Sequence, residues 1–259
     1  MEVNADNYFS SEVNNEYMSV SQYKEFMRCE SKALAMLKDE ISQEDKSCFL
    51  EGHLFETIIA GDIDLFMIQH PELVASRGAT KGELKAVFKK TVNAANRIKE
   101  QKFITDIVDR CEKQVIMTGE IEGIKIKCCA DLLDVENGKI YDLKCMAKFD
   151  DMWDKNKKVF LPWYEYYGYT LQMAVYQEIA RQTYGKTFET HLIAATKEDV
   201  PDIQAIHFDN MLLEIELSKF KEDVTYYDKI KKGVIPAGKC NNCDYCKSHK
   251  TITKFEEVS

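Results

Sequence analysis

The sequence predicts an α/β protein, and three observations carry that prediction. Apolar residues recur at helical spacing through residues 22–40 and 48–60. A meander of three or four strands follows, closed at Glu136-Asn137-Gly138-Lys139 by a strong hairpin signal, Asn-Gly between two apolar runs. A good helix then ends at Gly185, before a further apolar strand at 191–196.

Each element has its own warrant. Residues 1–16 are polar and acidic and are expected to be disordered or loosely attached, leaving 17–259 as a single domain. Ser19 or Ser21 is placed to cap the helix through 22–40. Residues 48–60 (CFLEGHLFETIIA) form an apolar helix carrying Gly52, His53 and Glu56. Residues 62–100 read as polar and helical around a loop at 77–82, and 105–111 continue a helix. Residues 112–118 and 119–127 read as strands, with Glu122-Gly123 turning between them. The hairpin 128–144 follows, then a loop holding Trp153. An aromatic stretch at 163–169 leads into the helix 171–184. A short strand at 205–208, a helix over 212–232 and a Cys-rich segment at 236–250 complete the chain.

Composition bounds the function. A chain of 259 residues supports one sizeable domain. No apolar run approaches a membrane span, and the N-terminus is unlike a signal peptide, so a cytoplasmic protein without membrane contact is expected. The formal net charge of -9 counts against a broadly basic nucleic-acid surface. Local patches still steer ligands, and lysines cluster at 81–90 and at Lys155, Lys157 and Lys158. Solvated helix faces explain either cluster taken singly. The nine cysteines do not form a secreted disulfide framework, and Cys48, Cys111, Cys128, Cys129 and Cys145 sit in apolar surroundings as inert core residues.

Chemistry concentrates on the hairpin. Asp142 and Lys144 are two apart on one strand and share a face, and Asp131 lies across from them. Two carboxylates and an ammonium converging there suit a hard divalent ion, with the ammonium offsetting developing negative charge. A solvated strand face is the bland alternative. Glu56 lies among apolar neighbours, where a carboxylate needs a partner. In the tail, Cys240, Cys243 and Cys246 form two overlapping Cys-x-x-Cys pairs. Zinc and a cubane cluster both want four ligands, for which Cys29 is the candidate and His249 the rival with zinc.

The acidic-spacer-acidic-x-Lys pattern of Asp131, Asp142, Leu143 and Lys144 resembles the signature of the PD-(D/E)XK nuclease superfamily. Gly52-x-x-x-Glu56 resembles the family's first motif, in which the last residue is a metal ligand and His53 falls outside the register. Gln172-x-x-x-Tyr176 resembles the Gln-x-x-x-Tyr of RecB-like members and of RecE-like phage or prophage exonucleases. The resemblance covers residues 17–250 or so. It implies a restriction-endonuclease-like core, a central mixed sheet flanked by helices. It implies Mg²⁺ or Mn²⁺ held by Glu56, Asp131, Asp142 and the Leu143 carbonyl, with Lys144, Gln172 and Tyr176 completing a catalytic set for DNA hydrolysis. It further implies a four-iron four-sulfur cluster on Cys29, Cys240, Cys243 and Cys246, in a tail more tightly spaced than usual. A recombination role beside a single-strand annealing protein, and assembly as a homo-oligomer, follow from the resemblance alone. A catalytically inactive adaptor that keeps the fold is the alternative.

Overall fold

The computed structural model describes residues 2–41, 46–61, 63–155, 157–253 and 255. Eleven α-helices and seven strands are assigned among them. The helices preceding the sheet are α1 (Ser11–Glu16), α2 (Val20–Arg28), α3 (Glu30–Leu37), α4 (Lys46–Ala60), α5 (Ile63–Gln69), α6 (Ala86–Lys99) and α7 (Lys102–Arg110). The meander is β1 (Glu112–Ile121), β2 (Ile124–Asp134) and β3 (Lys139–Met146). Then come β4 (Met152–Asp154), β5 (Val159–Leu161), α8 (Trp163–Tyr166), α9 (Tyr169–Tyr184), β6 (Glu189–Thr196), β7 (Ile203–His207), α10 (Asn210–Lys231) and α11 (Asp244–Ser248). The main sheet has the order β1-β2-β3-β6-β7. It is mixed: β3 pairs antiparallel with β2 and parallel with β6, and β6 pairs antiparallel with β7. A parallel pair needs a long crossover, which α8 and α9 supply.

The chain divides into two compact units. One comprises 44–117 and 128–217, the other 1–43, 118–127 and 218–259. In the first, β3 is buried nearly throughout, as a central strand covered on both faces must be. Tyr141 and Leu143 on one face pack with Ile193 and Ala195 of β6 against Leu54, Phe55 and Ile58 of α4 and Phe88, Ala94 and Ile98 of α6. On the other face Met146, Leu192 and Ala194 meet Met173 and Ala174 of α9. The core thus clamps β3 between two helical layers, and the side chains of β3 are correspondingly fixed.

In the second unit, α2 packs against residues 218–231 of α10 through Tyr23, whose ring centroid lies 4.5 Å from that of Phe220 and 5.2 Å from that of Tyr227. Ser19 is the cap of α2, its hydroxyl accepting from the Gln22 N–H at 3.2 Å. Residues 2–16 are not loosely attached. Ser10 caps α1, Val13 is fully buried, and Glu16 pairs with Lys125 at 2.5 Å. One apolar residue and a few polar anchors suffice to dock this segment, which a composition reading cannot see.

Local turns follow the sequence. Glu122 (φ 52) and Gly123 (φ 73) take the two left-handed positions that a tight hairpin requires, so β1 and β2 run past the boundary expected at residue 118. The region after Lys144 is more ordered than a loop, since β4 and β5 form a small two-stranded sheet. Cys48 is exposed rather than a core residue.

Candidate active site and a four-cysteine centre

The β2–β3 register places the charged side chains. Leu132 pairs with Tyr141 and Leu133 with Ile140, and beyond the last pair Asp131 meets β3 through its side chain. Alternation then puts Asp131, Asp142 and Lys144 on the face turned away from Tyr141 and Leu143. Asp131 Oδ2 accepts the Leu143 N–H at 2.8 Å, and its Oδ1 accepts from Gln114 Nε2 at 3.3 Å. Asp142 Oδ1 accepts from Gln172 Nε2 at 2.7 Å. Lys144 Nζ sits 2.5 Å from Asp142 Oδ2 and 3.9 Å from Asp131 Oδ2, donates to the Leu143 carbonyl at 3.1 Å, and lies 5.4 Å from the centre of the Tyr169 ring.

The electrostatics are unbalanced. Burial first, then Asp142, pushes Asp131 up to about 7, against the pull of Lys144 and its hydrogen bonds. Burial and Asp131 hold Glu56 well above the usual carboxylate range, with Asp142 adding to them and Lys144 and Gln114 opposing. Burial alone would lower Lys144, but Asp142 and Asp131 outweigh it and keep the ammonium protonated. Three carboxylates therefore share one cation. Asp142 Oδ2 is buried and makes no hydrogen bond among the described residues; its close neighbour is the Lys144 ammonium at 2.5 Å. A buried anionic oxygen held by one ammonium, beside two further carboxyls, is a donor set that fits a hard divalent cation.

Comparison over the whole chain gives its family. The family model described as "PDDEXK-like domain of unknown function (DUF3799)" matches residues 19–249. The chain belongs to this PDDEXK-like family. A crystal structure from Eubacterium rectale, named "Putative exonuclease", shares 33% identity with a TM-score of 0.89, covering 99% of this chain and 97% of that one. A second solved chain, SSO0001, is 14% identical over 83% of this chain and 96% of its own, with a TM-score of 0.30 that carries no functional weight. No curated protein matches.

Within this PDDEXK-like site, Glu56 of α4 is the residue whose charge interacts with Asp131, Asp142 and Lys144. The charged neighbour of His53 is instead His70. Gln172 reaches the site through Asp142, whereas Tyr176, one turn on, packs with the apolar cluster around Met146 and Met173. Sequence reasoning missed Gln114. It bridges Asp131 and Glu56 from β1, and it holds φ 52 in mid-strand, which costs a non-glycine residue about 1–3 kcal/mol. No motif marks it. Tyr169 packs against the apolar cluster around Met146 and Met173 and also turns its ring to the Lys144 ammonium.

The other unit holds the cysteine centre. Cys29 ends α2, and Cys240, Cys243 and Cys246 line the turn into α11. The Cys29 and Cys246 sulfurs are 3.4 Å apart, those of Cys240 and Cys246 3.9 Å, and all four lie within 4.8 Å of one another. The Cys243 N–H donates to Cys240 Sγ at 3.3 Å, and the Cys246 N–H to Cys243 Sγ at 3.4 Å. Hydrogen bonds from the Asn242 and Cys243 backbone pull the Cys240 thiol down to about 6, near the thiolate form that binds metal. His249 turns its Nδ1 to the Tyr245 carbonyl at 2.8 Å and is not grouped with the sulfurs. With bonds of about 2.3 Å, a tetrahedral ZnS₄ edge is about 3.8 Å, close to the spacings here.

Proposed function

We propose that the chain is a divalent-metal-dependent nuclease that hydrolyses DNA phosphodiester bonds from an end. The single observation that supports this best is the gathering of buried Asp131 and Asp142 and half-buried Glu56 around one ammonium, with Asp142 Oδ2 held by that ammonium alone among the described residues. Glu56, Asp131, Asp142 and the Leu143 carbonyl would hold Mg²⁺ or Mn²⁺, which supplies Lewis-acid chemistry at the scissile phosphate. The protein's own groups do the rest. Gln172 fixes Oδ1 of Asp142, and Oδ2, which now faces Lys144, would be shared with the ion. The Leu143 amide and Gln114 orient Asp131. Lys144 remains an ammonium in a largely buried site, where it would offset charge that develops on the transferred phosphoryl group.

The name of the Eubacterium rectale protein supports the exonuclease reading, and the resemblance extends it to end processing in recombination beside an annealing protein. A silent adaptor would gain nothing from three crowded carboxyls, since uncompensated buried charge destabilises a fold. The test uses linear and covalently closed duplexes with Mg²⁺ or Mn²⁺, and Asp142→Asn as control. Metal-dependent loss of the linear form alone is expected. Equal cleavage of closed circles overturns the exonuclease assignment, and no cleavage of either overturns the hydrolytic one.

For the cysteine centre we propose one structural Zn²⁺, because the sulfurs lie near the edge length of a single tetrahedron. A cubane interposes iron atoms and holds its sulfurs further apart. Anaerobically purified protein should be colourless with one zinc per chain. Brown protein with iron and sulfide identifies the cluster instead.

A further inference from the structure

We propose a second divalent-metal site, unrelated to the carboxylate centre, formed by His191 and Glu189 of β6 and His207 of β7, and selective for a borderline ion such as Zn²⁺. Register builds it. Tyr141, His191 and His207 are partners across three neighbouring strands, so their side chains form one row. Glu189 is two residues before His191 on the same face. Asp142 and Lys144 point to the opposite face, so the two sites are separated by the sheet.

The donor atoms are already gathered. One ligand atom from each of Glu189, His191 and His207 lies within 4.8 Å of the other two. The His191 and His207 rings are 4.9 Å apart between centroids. His191 Nε2 lies 3.9 Å from Glu189 Oε2, while Nδ1 is buried with no hydrogen-bond partner among the described residues. Tyr141 stacks on His191 at 4.9 Å and 27°, which fixes the ring plane. With bonds of about 2.0–2.1 Å, donors round a tetrahedral ion sit about 3.3 Å apart. Small side-chain rotations of His207 and Glu189, both exposed, supply the difference. Glu189 is meanwhile paired with Lys139 at 3.1 Å, so an ion must share or displace that contact. Two imidazoles and one carboxylate suit Zn²⁺ over Mg²⁺, which prefers oxygen alone. A bound ion would pin β7, the edge of the sheet, to β6.

The experiment is equilibrium dialysis of the full chain, with its cysteine centre filled as purified, against micromolar Zn²⁺ in millimolar Mg²⁺, with thermal melts in parallel. Wild type should take up one zinc more than His207→Ala and than His191→Gln. Glu189→Gln should bind that zinc more weakly, because it loses the anionic oxygen, and less weakly than the histidine variants, because Lys139 already competes for that carboxylate. Asp142→Asn should retain the extra zinc, so a failure of the nuclease reading leaves this result intact. Zinc should raise the melting temperature by a few degrees only in proteins that bind it. Should His191→Gln misfold, the exposed positions 207 and 189 decide. Equal uptake by His207→Ala and wild type overturns the proposal, as does loss of the extra zinc in Asp142→Asn.

Discussion

The carboxylate centre and the cysteine centre are built by opposite routes. The first draws Asp131, Asp142 and Lys144 from a single hairpin, and its geometry follows from strand register. The second joins Cys29 to Cys246, 217 residues away, and no local element dictates their meeting. The first concentrates buried anions that repel one another, so without an ion it weakens the fold it sits in. The second lowers the charge cost of Cys240 with backbone N–H donors and ties α2 to α11. One centre is arranged for reactivity and the other for cohesion, and substitutions should separate the two.

The largest expected effect is on hydrolysis. Asp131→Ala, Asp142→Ala and Lys144→Ala should each lower metal-dependent DNA hydrolysis by on the order of 10²-fold or more. Because Asp131→Ala removes a crowded carboxyl yet leaves Lys144 its 2.5 Å partner Asp142, its melting temperature without metal should equal or exceed that of wild type. Glu56→Gln should weaken divalent binding more than His53→Ala, measured by calorimetric titration. Near-wild-type turnover in any two of the first three variants breaks the assignment, and the reverse order at Glu56 and His53 breaks the register.

The cysteine centre should respond the other way. Cys29→Ser or Cys246→Ser, or removal of metal by a strong chelator, should lower the melting temperature by roughly 10 °C, because binding energy at a structural site is folding energy. Hydrolysis per folded molecule should change little at low temperature. A thermal melt indifferent to chelator would remove the contrast between the centres.

How far each centre is legible in the sequence follows from the same difference. Asp131, Asp142, Lys144 and Gln172 lie on a hairpin and a helix whose periods are plain, so faces could be counted. The cysteines could be grouped by their spacing, and only Cys29 required a fourth-ligand argument. Gln114 was invisible because its role depends on a left-handed φ inside β1, which no local pattern announces. His191 and His207 were equally hidden: each is a lone histidine until the parallel β3–β6 pairing and the β6–β7 hairpin align them. The three-residue strands β4 and β5 are too short to show alternation.

Gln114 sharpens the first centre. Gln114→Gly relieves the left-handed backbone and removes the amide that bridges Asp131 and Glu56. Divalent affinity should fall about 10–100-fold, the range for partners that orient ligands, while thermal stability stays level or rises. Gln114→Ala keeps the backbone cost and should lose both. Equal stability in the two variants would show that the backbone there is unstrained.

The smallest effect concerns two lysines, one from each unit. Lys144 is paired with carboxylates, whereas Lys231 donates to the Tyr17 carbonyl at 2.6 Å and to Gln22 Oε1 at 3.1 Å. Burial pulls Lys231 down to about 7; Asp228 opposes the fall, and Lys127 and Lys232 add to it. In the unfolded chain a lysine keeps its proton to about pH 10.4. From about pH 7 to 10 the unfolded state therefore binds more protons than the native state at this residue, and stability rises with pH. Below about pH 7 both states are protonated, and the cost of burying the ammonium is fully present. Lys231→Met should flatten the rise in melting temperature between pH 7.5 and 9.5. Lys144, raised above its unfolded value, titrates in neither state across that window. If Lys231→Met retains the wild-type slope, the Tyr17 and Gln22 oxygens stabilise the ammonium as fully as the carboxylates stabilise Lys144.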